Sequence, residues 1–129
     1  MTYLLIDTST PECHMTLASD DKQINRTWDA GRMLAKNIFV YIDEIFLDAG
    51  ITYDDLDGLG VFRGPGSFTG LRIGLTVANT IASAREIPIV GEVGDEWRQR
   101  SIDRLIRGND DTIVLPEYGG DARITQPRK

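Results

Sequence analysis

Short apolar runs bounded by turn residues alternate along this chain with longer stretches in which apolar residues return every three or four positions. The first run, Tyr3–Asp7, ends in Asp-Thr-Ser-Thr-Pro and predicts a buried strand entering a polar turn. Cys13–Ala18 predicts a second strand, and Ser19-Asp20-Asp21-Lys22 a hairpin loop to a third near Gln23–Asp29. Strands that follow one another without a helix predict an antiparallel meander. The spacing then turns helical from about Met33 to Ala49, closed by Gly50 in a C-cap position. Leu34, Ile38, Tyr41, Ile42, Ile45 and Ala49 form its core face, with Phe39 and Phe46 at the edge.

Thr52–Asp57 is a polar turn with room for one short capped helical turn. Gly58–Arg63 predicts a strand, Gly64–Thr69 a tight turn, and the stretch from near Gly70 to about Arg85 a helix. Ser67 or Thr69 is placed to cap that helix. Ile87–Gly91, started by Pro88, is a further strand, so strand, helix and strand form a βαβ unit with parallel pairing. Asp95–Arg107 reads as a helix whose acidic start and basic end suit its dipole, and Gly108 stops it. Thr112–Leu115 reads as a last short strand. The glycine and proline breakers of 116–129 predict an extended tail, leaving one domain over 1–115.

Two helical stripes do not fit a simple core. Met33, Val40 and Leu47 recur every seven residues off the core face of the first helix. They are either packed under a loop or kept for another helix, in this chain or a second one. In the second helix Gly70, Gly74, Ala78 and Ala82 recur every four residues, a groove that lets another backbone approach closely. An interior glycine costs a helix about 0.5–1 kcal/mol relative to alanine, so close packing must offset Gly74.

Composition narrows the class. The 129 residues suit a single core and not two comfortable domains. A net charge of −6 argues against a free-standing nucleic-acid binder. A lone cysteine, Cys13, leaves no internal disulfide and fits a reducing cytoplasm. No apolar run approaches the roughly 20 residues that span a bilayer, and the N-terminal stretch lacks the basic start of a signal peptide. A soluble cytoplasmic domain is expected.

Tests for chemistry return little. The turn Gly64-Pro65-Gly66-Ser67-Phe68-Thr69 invites a phosphate-binding reading, but a dinucleotide fingerprint needs glycine where Thr69 stands. A P-loop needs lysine, and none occurs between Lys36 and Lys129. A tight turn for helix packing is the plainer reading. His14 is the one histidine, and Cys13 beside it points to the opposite face of the strand, which excludes a paired-histidine zinc site. Ser67 does not sit in a G-x-S-x-G elbow. The arginines Arg98, Arg100, Arg104 and Arg107 read as a solvated face and dipole partners. Asp7-Thr8 after the first strand is similar to the first phosphate motif of actin- and hexokinase-like ATPases, without a second lobe to close on nucleotide.

The run RGPGSFTGLRIG, the small-residue helix after it and IPIVG closely resemble the TsaB (YeaZ) family. YLLIDTST resembles that family's first strand, the Met33–Ala49 helix its first helix, and LPEYGGDARI its closing Pro-x-Tyr segment. TsaB is the non-catalytic partner subunit of the machinery that makes threonylcarbamoyladenosine in tRNA. The resemblance implies an α/β fold: one actin/hexokinase-like (ASKHA, ribonuclease H-like) lobe, a mixed five-stranded sheet with an antiparallel start and helices packed on it.

It further implies that the two long helices bundle with those of TsaD, the catalytic subunit, or form a homodimer through the same surface. Met33, Val40, Leu47, Gly70, Gly74, Ala78 and Ala82 are the interface residues so implied. Asp7 and Thr8 would be a vestigial phosphate motif, with no cofactor, metal or catalytic residue in the chain. A TsaE-like ATPase would be a further partner, and tRNA would be met only through the complex. Family members carry a second lobe after the IPIVG strand, whereas about 25 residues separate Gly91 from Pro116 here. The chain therefore reads as one lobe with the other almost wholly deleted. The readings of another class are a homodimeric interaction module and a nucleotide-binding enzyme using Asp7, Thr8 and the glycine turn.

Overall fold

The computed structural model of the chain describes residues 1–117. Its strands are β1 (Thr2–Asp7), β2 (Glu12–Ser19), β3 (Lys22–Asp29), β4 (Gly58–Phe62) and β5 (Ile89–Glu92). Its helices are α1 (Leu34–Ala49), α2 (Phe68–Arg85) and α3 (Trp97–Ile106). The strands form one sheet in the order β3-β2-β1-β4-β5. β1–β2 and β2–β3 pair antiparallel, as the meander predicts, while β1–β4 and β4–β5 pair parallel, as the βαβ unit predicts.

Alternation along β1 divides the core between the two faces of the sheet. Leu4 and Ile6 join the larger cluster with α1 and α2, whereas Tyr3 and Leu5 meet Trp97 and Leu105 of α3. Each fully buried Leu or Ile of this kind contributes about 1.5–3 kcal/mol of transfer free energy. α3 comes close to its face because β4 presents glycine there. A Cβ on Gly60 would stand 2.7 Å from Leu5 Cδ2 and 2.8 Å from Ser101 Cβ.

Local signals set most boundaries. Gly50 ends α1 in the left-handed conformation at φ 70°. Thr52 and Asp55 form a capping box on the short 3-10 turn Tyr53–Asp55. Ser67 caps α2 by accepting from the Gly70 N–H at 3.3 Å, so the helix begins at Phe68, two residues before the expected Gly70. Thr69 lies inside it. α3 begins at Trp97 and not Asp95, which leaves no acidic residue in its first turn. Of the expected α1 face, Phe39 is exposed and Ala49 half-buried, and the other members are buried. His14 is half-buried in β2 with its Nδ1 2.9 Å from Thr27 Oγ1, a structural role.

No strand forms at Thr112–Leu115; the segment after α3 is instead a strap along the edge of β5. The Asp110 carboxylate accepts from the Ile89 N–H at 3.2 Å and that of Asp111 from the Gly91 N–H at 2.9 Å. The Asp111 N–H in turn donates to the Ile89 carbonyl at 2.7 Å. Carboxylates thus take the place of a neighbouring strand on an edge that would otherwise be open. The Asn79 side chain of α2 grips Val114, donating to its carbonyl and accepting from its N–H, both at 2.9 Å. Arg104 joins Glu92 to Asp111 and so clamps the strap to β5, and Arg100 also pairs with Glu92. Pro116 and Glu117 are the only residues of the expected tail within the described range; Tyr118 and all that follows lie outside it.

Burial pushes the Asp111 carboxyl up, but hydrogen bonds from Arg104 and the Gly91 N–H, with the charges of Arg104 and Arg63, hold it below its ordinary value. The folded chain therefore holds this proton less tightly than the unfolded chain. Its contribution is complete at neutral pH and is lost as the pH falls below the ordinary carboxylate range. Asp111→Ala should lower stability by about 1–2 kcal/mol in urea unfolding at pH 7. The gap from the unmodified chain should shrink in acid; a gap that grew as the pH fell would refute the clamp.

Candidate functional site

The end of the sheet where the glycine turn lies is closed by the chain itself. Asp7 Oδ1 accepts from the Ser9 N–H at 2.9 Å, a local turn. The Thr8 hydroxyl is fully buried and donates to the Gly70 carbonyl at 2.7 Å. The Ser67 N–H donates to the Ser9 carbonyl at 2.7 Å. Gly64, at φ 122°, precedes a cis peptide to Pro65. A Cβ on Gly66 would stand 2.5 Å from Ser9 Cβ, so the turn lies directly on the segment after β1. Asp7 and Thr8 are both engaged with the chain's own backbone, and the glycines are explained by close packing.

The small-residue stripe of α2 serves the same contact. Gly70, Gly74, Ala78 and Ala82 are all buried. A Cβ on Gly74 would overlap Thr8 Oγ1 and stand 3.0 Å from Thr8 Cγ2. The close approach expected of the stripe is therefore made by this chain's own β1 turn and sheet. As a groove open to a partner helix, the stripe is a mistaken reading.

The other stripe lies on the surface. Met33, Val40 and Leu47 are 45%, 50% and 82% exposed, with Met33 in the 3-10 turn Gly31–Met33 that leads into α1. Phe39 and Phe68, at 48% and 56%, extend the apolar surface beside and across from them. α1 and α2 both return from strands that run in the direction of β1, so they lie parallel on one face of the sheet. A shallow groove at their N-terminal ends is lined by Ala35, Phe68, Arg72, Ile73, Thr76 and Val77, among others. Large apolar side chains thus stand exposed on the outer face of two neighbouring helices. Sequence reasoning missed Phe39, Phe68 and Arg72 as members of it. Phe39 is adjacent to Val40, and Phe68 was absorbed by the turn motif.

Nothing else in the described residues assembles a chemical site. No group of three or more His, Cys, Asp or Glu side chains is placed to hold a metal among them. Cys13 is buried, and that burial, with the nearby charge of Asp7, pushes its thiol up to about 12, which leaves no reactive thiolate near neutral pH. No helix of the described residues is long and apolar enough to cross a membrane.

A family model described as TsaD, tRNA N6-adenosine threonylcarbamoyltransferase, matches residues 28–92, half of the chain. The chain is 36% identical over 90 residues to the tRNA threonylcarbamoyladenosine biosynthesis protein TsaB of Haemophilus influenzae, covering 70% of this chain and 38% of that protein. It is 31% identical over 117 residues to TsaB of Escherichia coli, covering 85% of this chain and 50% of that one. The chain belongs to the TsaB (YeaZ) group of this family. YeaZ from Pseudomonas aeruginosa superimposes with a TM-score of 0.68 at 28% identity, over 71% of this chain and 43% of that structure. The mixed five-stranded sheet and its helices are thus the actin-like, ribonuclease H-like lobe that the motifs imply. This TsaB-type chain spans between about a third and a half of the length of the TsaB relatives it matches. The matched model ends in β5, so the strap lies beyond it.

Proposed function

We propose that this chain is a non-catalytic subunit that binds a TsaD-like transferase through the outer face of α1 and α2 and holds it in an active arrangement. The complex would place a threonylcarbamoyl group on the adenosine next to the anticodon of tRNAs that read codons beginning with A. The observation that carries this reading is the exposed apolar line Met33, Val40 and Leu47 on a chain of this family. Such a line lowers solubility unless a partner covers it. A TsaE-like ATPase would join the full complex. With a net charge of −6, the chain would meet tRNA through its partners and not by itself.

A nucleotide-binding enzyme is less well supported, because Asp7 and Thr8 already bond within the chain. A homodimeric module would use the same helical face, and the experiments below separate it from the transferase partner. In the cell, deleting the gene should deplete threonylcarbamoyladenosine in nucleoside digests of tRNA, with recovery from a plasmid copy. Unchanged nucleoside levels after deletion would count against the pathway assignment.

A further inference from the structure

We infer that the strap is a latch: residues 110–117 lift from the edge of β5 as one unit while the sheet and its helices stay folded. One buried side chain anchors it. Val114 is 4% exposed and lies so close to Gly91 that a Cβ there would overlap its Cγ1. Every other buried member of the two apolar clusters is Leu105 or a residue before it, so Val114 is all that either cluster loses when the strap lifts. The other holds are polar and close to water. Asp110 and Asp111, whose carboxylates satisfy β5, are exposed, as are Thr112, Ile113 and Leu115. Segments held by few buried contacts and by bonds that water can replace open locally, below the free energy of global unfolding.

The closed strap is also strained. Thr112, between the paired aspartates and Val114, stands at φ 69°. That region is costly for a β-branched residue, and the Asp110 carboxylate holds it there by accepting from the Thr112 N–H at 2.8 Å. Lifting the strap relieves the strain. It also uncovers two places at once. At one end the Ile89 and Gly91 N–H groups of β5 lose their carboxylates. At the other, the Glu117 N–H leaves the Arg63 carbonyl, which it meets at 2.6 Å, and the Glu117 carbonyl withdraws from Gly64, where a Cβ would overlap it. A bare strand edge pairs with another extended backbone, so the latch decides whether the sheet can be extended on this side. It does not depend on the partner role proposed above.

The test is native-state hydrogen exchange on the full chain, read by nuclear magnetic resonance in rising, sub-denaturing urea. The N–H groups of Asp111, Val114 and Glu117 in the strap and of Ile89 and Gly91 in β5 should share one opening equilibrium. It should be roughly a hundredfold or more favourable than the opening that exposes Leu5 and Ile6 of β1, and it should depend weakly on urea. Leu5 and Ile6 should follow the steep slope of global unfolding. One common steep slope for both groups would overturn the latch, and so would unrelated openings among the five. Val114→Asp would set a carboxylate against Gly91 and should drive the strap off, removing protection at the four remaining strap and β5 N–H groups while Leu5 and Ile6 keep theirs. Loss of protection in β1 as well would make the strap an integral part of the fold and overturn the inference.

Discussion

Gly74→Val should destabilise the fold by about 3 kcal/mol, enough to remove a large share of the stability of a domain this size. Helix propensity alone gives a different answer for the smaller change, since alanine in place of an interior glycine gains about 1 kcal/mol. Packing reverses that sign. A Cβ at Gly74 overlaps the hydroxyl of Thr8, whose Cβ is only 3.1 Å away. Thr8 is fully buried, and its hydroxyl is held by the Gly70 carbonyl at 2.7 Å, so it has no rotamer to retreat into without losing that bond. Gly74→Ala should therefore destabilise by about 1–2 kcal/mol, and valine by more. Shortening Thr8 to alanine in the Gly74→Ala background should recover part of the loss, because the two changes share one contact. Urea unfolding of the variants at pH 7 checks this. A Gly74→Ala chain more stable than the original would show that the stripe is not packed as described.

Val40→Arg with Leu47→Arg should weaken association with the TsaD-family partner at least a hundredfold while leaving the fold intact. The two positions are separated by two helical turns and are 50% and 82% exposed, so a long cation at either reaches water in the free chain. In a complex each guanidinium would be driven into an apolar seam. Burying an unpaired charge there costs several kcal/mol, more than the loss of either apolar contact. The contrast with Gly74 separates the two roles. Gly74→Val acts on the unfolding midpoint, while Val40→Arg and Leu47→Arg act on the dissociation constant and leave the midpoint in place. Surface plasmon resonance against the immobilised transferase measures the latter. Unchanged affinity for the double variant would move the interface off α1.

Where a residue's environment is set by its near neighbours in the chain, the sequence was a sufficient guide. The Asp20-Asp21 hairpin, the Gly50 cap, the Thr52 capping box and the Ser67 cap all lie within a few residues of what they terminate. The α2 stripe shows the limit of such reading. Spacing revealed that something approaches Gly70 and Gly74 closely, but not that the visitor is Thr8, more than sixty positions earlier. Helical periodicity likewise placed Phe39 at the edge of the core, whereas it lies on the solvent side of α1. The strap was read as a strand because Thr112–Leu115 is apolar enough. It is held instead by side chains, the Asp110 and Asp111 carboxylates accepting from the β5 N–H groups and Asn79 bracketing Val114, which no strand pattern encodes. The cations of α3 were legible as a basic row, but their engagement with Glu92 and Asp111 depends on where the chain turns after Gly108.

The partner role is tested most directly by mass. The chain and the TsaD-family protein from the same genome, mixed at tens of micromolar and separated by size exclusion with light scattering, should elute together at the summed mass of one copy of each. The same mixture made with Val40→Arg and Leu47→Arg should separate into its components. Two proteins eluting at their own masses, with and without nucleotide and the TsaE-family ATPase, would contradict the account and leave the family relationship as one of fold alone.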